Sequence, residues 1–115
     1  MASPQIDYVE FASTDLAASK QFFSTVFGWR FTDYGPQYSA FARAEAGLDG
    51  GFYPAESVRA GGPLVVLRSA ALEQTQAAIE AAGGVIVEPI FAFPGGRRFH
   101  FREPGGNVLA VWSDS

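Results

Sequence analysis

The sequence has no cysteine, a single histidine, and few charged residues, which make up 17% of the chain. Without cysteine there is no disulfide framework, thiolate zinc site or cysteine nucleophile, and one histidine cannot hold a metal ion without help from carboxylates. No apolar run reaches the length of a membrane span, so we expect no membrane partner. Residues 1–7 lack a basic segment followed by an apolar run, so we expect no signal peptide and a cytoplasmic location.

The charge that is present is net negative, at −4 for 115 residues. An acidic chain does not attract phosphate backbones, and its basic residues are scattered except for Arg97, Arg98 and Arg102, so we expect no nucleic-acid partner. Apolar residues make up 48% of the chain and include eleven phenylalanines, enough to fill the core of a globular protein. The length predicts a single domain over residues 1–115.

Two segments have the pattern of amphipathic helices. The first follows Ser13–Asp15, a cluster of residues that commonly cap helices, and Gly28 ends it. The second follows Ser69 and ends at the pair Gly83-Gly84, with many alanines between them. The apolar positions at helical spacing are Leu16, Phe22, Phe23, Val26 and Phe27 in the first helix, and Leu72 and Ile79 in the second.

Strand-like runs surround the helices and are separated by turns rich in glycine and proline. The resulting order is β-α-β-β-β, repeated once. A similar β-α-β-β pattern occurs in ferredoxin-like dimeric α+β barrels, which four strands in each half would exclude. The predicted strands are Ile6–Phe11, Trp29–Thr32, Tyr38–Arg43, Gly51–Tyr53, Leu64–Leu67, Val85–Glu88, Arg98–Arg102 and Val108–Trp112.

The two halves are related by a regular offset along the chain. Leu16 and Gly28 of the first half superpose on Leu72 and Gly84 of the second. Such internal repetition indicates two copies of one supersecondary unit that pack together. The predicted fold is therefore α+β, built from two repeated βαβββ modules. We expect module one at about residues 5–53, a linker at 54–62 and module two at about 63–113.

Several short motifs, in their order and spacing, resemble the vicinal oxygen chelate superfamily. That group includes glyoxalase I, bleomycin-resistance proteins, fosfomycin-resistance proteins and extradiol dioxygenases. The resemblance implies a curved mixed sheet with an open ligand cleft, and a homodimer. The motifs are Tyr8–Phe11 followed by Asp15-Leu16, then Phe22-Phe23, Phe27–Trp29, and Glu103–Asn107 with Glu103 in place of the family's aspartate.

The same resemblance implies where a metal would bind, because the superfamily's metal enzymes place one ligand on the first and fourth strands of each half. Those positions fall at Tyr8, at or beside Pro63, near Gly51 and at Ala110. Tyrosine, with a pKa of about 10, is a poor ligand for a divalent ion at neutral pH, and the other three side chains cannot ligate. We therefore predict no metal ligands and no cofactor.

Glu10 is the first candidate for chemistry. It alternates with Tyr8 on the first strand, so the two side chains share a face. If that face lines the cleft, Glu10 is a candidate ligand-binding group and general base. The alternative is an ion pair with Arg98, Arg43 or another arginine.

His100 is the second candidate, with Arg98 two residues before it on the same strand. Phe99 and Phe101 take the opposite face of this strand, so packing of the phenylalanines would turn Arg98 and His100 towards the cleft. A lone histidine there is either an acid or base, or a hydrogen-bonded wall residue.

Tyr8, Tyr53 and Trp112 are the aromatic candidates for the cleft wall. Such walls suit a flat or cationic organic ligand, although the same rings would also fill a core that has no cavity. The leading prediction is a metal-independent protein that binds an aromatic or cationic small molecule. The alternative is an enzyme, a lactoylglutathione lyase-like lyase or isomerase or a relative of the dioxygenases, with Glu10 or His100 as acid or base and Arg98 holding an anionic substrate.

Overall fold

The structure, a computed structural model, describes residues 4–115. The first half contains β1 (Tyr8–Ser13), α1 (Leu16–Phe27), β2 (Phe31–Asp33), β3 (Ser39–Phe41), α2 (Arg43–Ala46) and β4 (Asp49–Pro54). The second half contains β5 (Val66–Arg68), α3 (Leu72–Ala81), β6 (Val85–Phe93), β7 (Gly96–Arg102) and β8 (Val108–Ser113). Four strands in each half of the described chain exclude the ferredoxin-like alternative.

The strands form two separate four-stranded mixed sheets, one from each half. Sheet A has the order β1-β4-β3-β2 and sheet B has the order β5-β8-β7-β6. In each sheet the first strand of the module runs parallel to the last, and the other pairs are antiparallel. The α+β class with two βαβββ modules is confirmed, and the sheets do not close into a barrel.

Both predicted helices form where their caps and apolar positions place them. The Asp15 carboxylate accepts a hydrogen bond from the backbone N–H of Ala18 at 3.1 Å, which satisfies one of the free donors at the start of α1. Gly28 ends α1 with φ of 74°, in the left-handed region that favours glycine. Leu72 and Ile79 of α3 are fully buried. Within residues 4–115, no helix is long and apolar enough to span a membrane.

Two local features differ from the sequence prediction. Arg43 was assigned to a strand, but it begins the short helix α2, which reverses the chain between β3 and β4. Strand β6 continues past Glu88 to Phe93, although Pro89 cannot donate a ladder hydrogen bond. The strand tolerates Pro89 because it lies at the edge of sheet B, where its pairing with β7 shifts register on both sides of Glu88.

Helix α1 lies between the two sheets and joins them through one aromatic core. Phe23 of α1 packs on Phe52 of β4 with ring centroids 5.2 Å apart, and Phe22 packs on Phe101 of β7 at 5.8 Å. Each sheet thus turns one face towards the helices. The opposite faces are called here the outer face of sheet A and the outer face of sheet B.

The turn between β7 and β8, where the sequence resembles the superfamily motif, connects the two halves by polar contacts. The carboxylate of Glu103 is buried and accepts hydrogen bonds from Ser19 Oγ, Gly105 N and Asn107 Nδ2, each at 2.7 Å. Asn107 Nδ2 also donates to the carbonyl of Ala12 at 2.7 Å. Glu103 and Asn107 therefore hold the second module against the β1–α1 junction of the first.

Candidate functional site

The outer face of sheet A carries Tyr8, Glu10 and Tyr53. Alternation along β1 places Tyr8 and Glu10 opposite the buried side of the strand, and the register pairs Glu10 with Gly51 on β4. Tyr8 and Tyr53 are 46% and 40% exposed, so this aromatic face is half open to solvent. The predicted alternation of Tyr8 and Glu10 is confirmed.

Tyr38, which the sequence analysis did not single out, organises this face. Gly51 has no side chain, and the Tyr38 ring occupies the space that a Cβ there would fill. The Tyr38 hydroxyl donates to Glu10 Oε2 at 2.9 Å and lies 2.5 Å from the Tyr8 hydroxyl. Burial, followed by the hydrogen bonds to Tyr8 and Glu10, raises the pKa of Tyr38 well above its ordinary value, so it stays protonated.

The hydrogen-bond chain has a direction. A phenol has one proton, and Tyr38 gives it to Glu10, so Tyr8 must donate its own proton to the Tyr38 oxygen. The Tyr8 oxygen is then left with acceptor capacity towards solvent. Among the described residues no arginine pairs with Glu10, so the alternative of an ion pair is not formed within the protomer. A role for Glu10 as base stays a prediction.

The outer face of sheet B carries Arg98, His100 and Trp112, as alternation along β7 and β8 predicts. Phe99 and Phe101 point to the core and are fully buried. The register pairs Arg98 with Trp112 and His100 with Ala110, which places all four on the outer face.

Aromatic rings surround the Arg98 guanidinium on this face. Its central carbon lies 5.2 Å from the centre of the Phe91 ring and 5.5 Å from that of Phe93, within cation–π range. Phe93 in turn lies 6.2 Å from the Trp112 ring, and Phe91 lies 5.8 Å from His100. These contacts fix a flat cation inside an aromatic wall.

Two nitrogens of this cluster are buried without a hydrogen-bond partner: Arg98 Nε and His100 Nε2. Burial, together with the positive charge of Arg98, lowers the pKa of His100, although Glu88 on β6 acts in the opposite direction. His100 is therefore neutral at pH 7. Buried polar nitrogens without a hydrogen-bond partner are costly, so this cluster is a candidate binding site.

One protomer does not bring the two groups together. Tyr8, Glu10 and Tyr53 lie on sheet A, whereas Arg98, His100 and Trp112 lie on sheet B. Among residues 4–115, no hydrogen bond, ion pair or ring contact joins the two sets. Each group lies on the side of its sheet that faces away from the helices, so the two groups make no direct contact within one protomer. A ligand cleft shared by them stays a prediction.

Grooves elsewhere on the protomer do not include the predicted residues. A groove of about 360 Å³ lies between α1, β5 and α3, lined by residues such as Phe27, Leu67 and Gln74. Another, of about 380 Å³, lies beside the other end of α1, near Phe22 and Pro104.

The residues at the superfamily's metal positions do not fit a divalent cation. The Tyr8 phenol is hydrogen-bonded to Tyr38, and Gly51 and Ala110 have no donor atom in their side chains. Pro63 also lacks a donor, and it lies in the loop before β5. Among the described residues, no three side chains of the His, Cys, Asp or Glu type gather as a metal site.

Four residues at these faces were missed from the sequence. The sequence indicated Tyr38 only weakly. Tyr38 begins a predicted strand, and Gly51 in another predicted strand leaves room for a large side chain. Phe91 and Phe93 alternate after Pro89, but the proline ended the predicted strand too early. Arg68, whose guanidinium lies 5.5 Å from the Trp112 ring centre, required the pairing of β5 with β8.

Comparisons with known proteins agree with this architecture. The Glyoxalase/Bleomycin resistance protein/Dioxygenase superfamily matches residues 5–111. A glyoxalase/bleomycin resistance protein/dioxygenase family enzyme from Burkholderia phytofirmans PsJN superposes with a TM-score of 0.80 at 17% identity, covering 95% of this chain and 98% of that one. The fosfomycin resistance protein FosX from Listeria monocytogenes also gives 0.80, at 16% identity, covering 98% of this chain and 94% of that one.

A glyoxalase-related enzyme from Fulvimarina pelagi gives a TM-score of 0.78 at 20% identity, with 95% of this chain and 87% of that one covered. At identities this low, the likeness to these solved structures shows a shared fold alone. No curated protein sequence matches the chain at a significant level. The family match over nearly the whole length decides the classification: the chain belongs to the glyoxalase/bleomycin resistance protein/dioxygenase superfamily.

Proposed function

We propose that this protein binds an aromatic small molecule without a metal ion. The observation that supports this proposal best lies on the outer face of sheet B. Half-buried rings surround Arg98 there, and Arg98 Nε and His100 Nε2 are buried without a hydrogen-bond partner. Pockets for small molecules are mostly apolar and aromatic, with a few fixed polar groups. The donor set at the superfamily's metal positions supports the metal-independent part of the proposal.

In this proposal, a second copy of the chain completes the binding site. The outer face of sheet A presents Glu10 and phenols, whereas the outer face of sheet B presents Arg98. These charges are complementary, and Tyr8 on the first face and Val66 on the second are 46% and 41% exposed. Sheet A of one protomer opposite sheet B of its partner would bring the two groups into one cleft, twice per homodimer.

Tryptophan fluorescence tests the proposed binding site, because Trp112 lies on the outer face and Trp29 lies in the core. We expect aromatic compounds to change the emission of the wild type and of Trp29→Phe, and to leave Trp112→Phe unchanged. An equal response from Trp112→Phe, or no response across a broad aromatic panel, would contradict the proposal.

Chelation tests whether binding is independent of metal, and a mass measurement tests whether the protein is a homodimer. After dialysis against EDTA we expect unchanged affinity and less than stoichiometric metal by mass spectrometry of the digested protein. Sedimentation should give twice the mass of the chain. A stoichiometric divalent ion whose removal abolishes binding would favour the enzymatic alternative, with Glu10 or His100 as acid or base. That alternative and the cytoplasmic location stay predictions.

A further inference from the structure

Arg98 and His100 present unpartnered nitrogens to one place on the outer face of sheet B. They are two residues apart on β7, and their side chains lie on the same side of the sheet. Arg98 Nε and His100 Nε2 are buried and have no hydrogen-bond partner. Because a buried polar nitrogen without a partner is destabilising, two such nitrogens together indicate a group that the folded chain does not supply.

The strands around them contain no acceptor that reaches them. Ala110 lies opposite His100 on β8, and Val66 lies opposite Ala110 on β5; neither side chain is polar. Glu88 lies opposite His100 on β6, yet it is exposed and makes no hydrogen bond to His100 or Arg98. Asp114, the nearest acid beyond the end of β8, is paired with Arg68 at 2.9 Å.

The aromatic surroundings strengthen any bond that Arg98 makes. Phe91 and Phe93 hold the guanidinium plane by cation–π contact and exclude water from part of it. A charge-assisted hydrogen bond is stronger in such a partly dehydrated place than in water. Next to the guanidinium, Trp112 and Phe93 offer ring surface for the rest of a ligand.

We infer that the outer face of sheet B holds an oxyanion subsite, in which Arg98 and His100 Nε2 donate to a carboxylate or phosphate group whose flat body lies on Trp112 and Phe93. This inference rests on the proposed function and adds the charge of the ligand. His100 acts here as a neutral donor, with its proton on Nε2. An anion bound beside the ring would favour the imidazolium form and raise the pKa of His100.

Because His100 is the only histidine in the chain, the NMR signal of its ring C–H protons reports this subsite alone. The probes are 2-naphthoate, 2-naphthamide and 2-naphthylmethylamine, which share one ring system, in a buffer of Bis-Tris and chloride. We expect 2-naphthoate to shift the His100 signal saturably, to raise its pKa, and to bind about tenfold more tightly than the amide. Parallel titration with 2-naphthyl phosphate distinguishes the two oxyanions; tighter binding of either than of the amide is the expected result.

Three variants at two arginines assign the effect. Arg98→Gln should reduce the affinity for 2-naphthoate to that for the amide, about a tenfold loss. Arg98→Lys keeps the charge, loses the Nε donor and should give an intermediate loss. Arg102→Gln is the matched control, since it removes the same charge from the same face of β7 and should leave affinity unchanged.

Each other outcome overturns the inference. If the amide or the amine binds as tightly as the acid, the protein still binds aromatic molecules but has no oxyanion subsite. If no probe moves the His100 signal, the proposed function fails as well. If Arg98→Gln abolishes the homodimer in sedimentation and retains the affinity for 2-naphthoate, Arg98 serves the protomer interface instead.

Discussion

At the scale of single residues, absence of a side chain is as informative as its presence. Gly51 leaves the room in which the Tyr38 ring lies, and Tyr38 then ties Tyr8 to Glu10. The superfamily resemblance places one of the metal-ligand positions near Gly51. A hydrogen-bonded phenol lies over this glycine, and Tyr8, Tyr38 and the Glu10 carboxylate together occupy this part of the face.

Removing the Tyr38 hydroxyl tests this hydrogen-bond chain. Tyr38→Phe should lower the free energy of unfolding by about 1 kcal/mol, since it breaks two partly exposed hydrogen bonds. The measurement is urea unfolding followed by circular dichroism. Tyr34→Phe is the control, because Tyr34 is 67% exposed and its hydroxyl makes no hydrogen bond among the described residues. Equal stabilities of the two variants would show that the hydrogen bonds of Tyr38 contribute nothing to the free energy of unfolding.

His100 gives a prediction about pH. Its folded-state pKa lies below the ordinary value, mainly through burial and then through Arg98, so the unfolded chain takes up a proton first as pH falls. The contribution of neutral His100 to stability is therefore complete above about pH 6.5 and is lost as pH drops towards the folded-state pKa. The relevant window lies just below the ordinary pKa of histidine.

The difference in unfolding free energy between wild type and His100→Gln measures this contribution. We expect the wild type to lose more stability than the variant when pH is lowered from about 8 to about 5.5. The difference isolates His100 because the carboxylates titrate in both proteins alike. A parallel decline of the two curves would mean that the pKa of His100 is not lowered in the folded state.

At the scale of elements, local periodicity was sufficient for most of the chain. Helix α1 starts and ends where its cap residues predict, and β7 alternates Arg98 and His100 outside with Phe99 and Phe101 inside. The sequence prediction was wrong where pairing with a neighbouring strand overrides the conformational preference of a residue. Pro89 ended the predicted strand, but an edge position tolerates a proline because its missing N–H would point away from the sheet.

The Glu103 turn is the element whose geometry makes the sharpest stability prediction. Glu103→Gln places an amide N–H₂ among donors that need an acceptor, so it should lower the free energy of unfolding by about 2 kcal/mol. Glu80→Gln, on the exposed side of α3, changes the same group outside any contact and should have little effect. Thermal melting of both variants measures the difference, and an equally stable Glu103→Gln would contradict the buried network.

At the scale of the whole molecule, α1 makes the two sheets depend on each other. Phe22 touches Phe101 of sheet B, and Phe23 touches Phe52 of sheet A. The two outer faces belong to separate sheets of one protomer, and each is assembled from its own module. The proposed binding cleft brings the two faces together through a second copy of the chain.

Cooperative unfolding of the two modules follows from the shared core. In Trp29→Phe and in Trp112→Phe, the remaining tryptophan reports one module, and its fluorescence transition should coincide with the circular dichroism transition of the same variant. Phe101→Ala should shift both probes together, at a cost of about 3 to 5 kcal/mol. Phe91→Ala, on the outer face, should cost less. Separate transitions for the two tryptophans would show that the modules unfold independently.

The sequence by itself determined the repeated βαβββ order, the helix ends and the face of the strand on which each candidate side chain lies. These features depend on spacing and caps within a few residues, so they can be interpreted before any tertiary contact is known. Only the tertiary structure decided that Tyr38 lies over Gly51, that Phe91 and Phe93 enclose Arg98, and that the two candidate groups occupy separate sheets. Those relations join residues far apart in the chain, and they depend on strand register and on how α1 packs between the sheets.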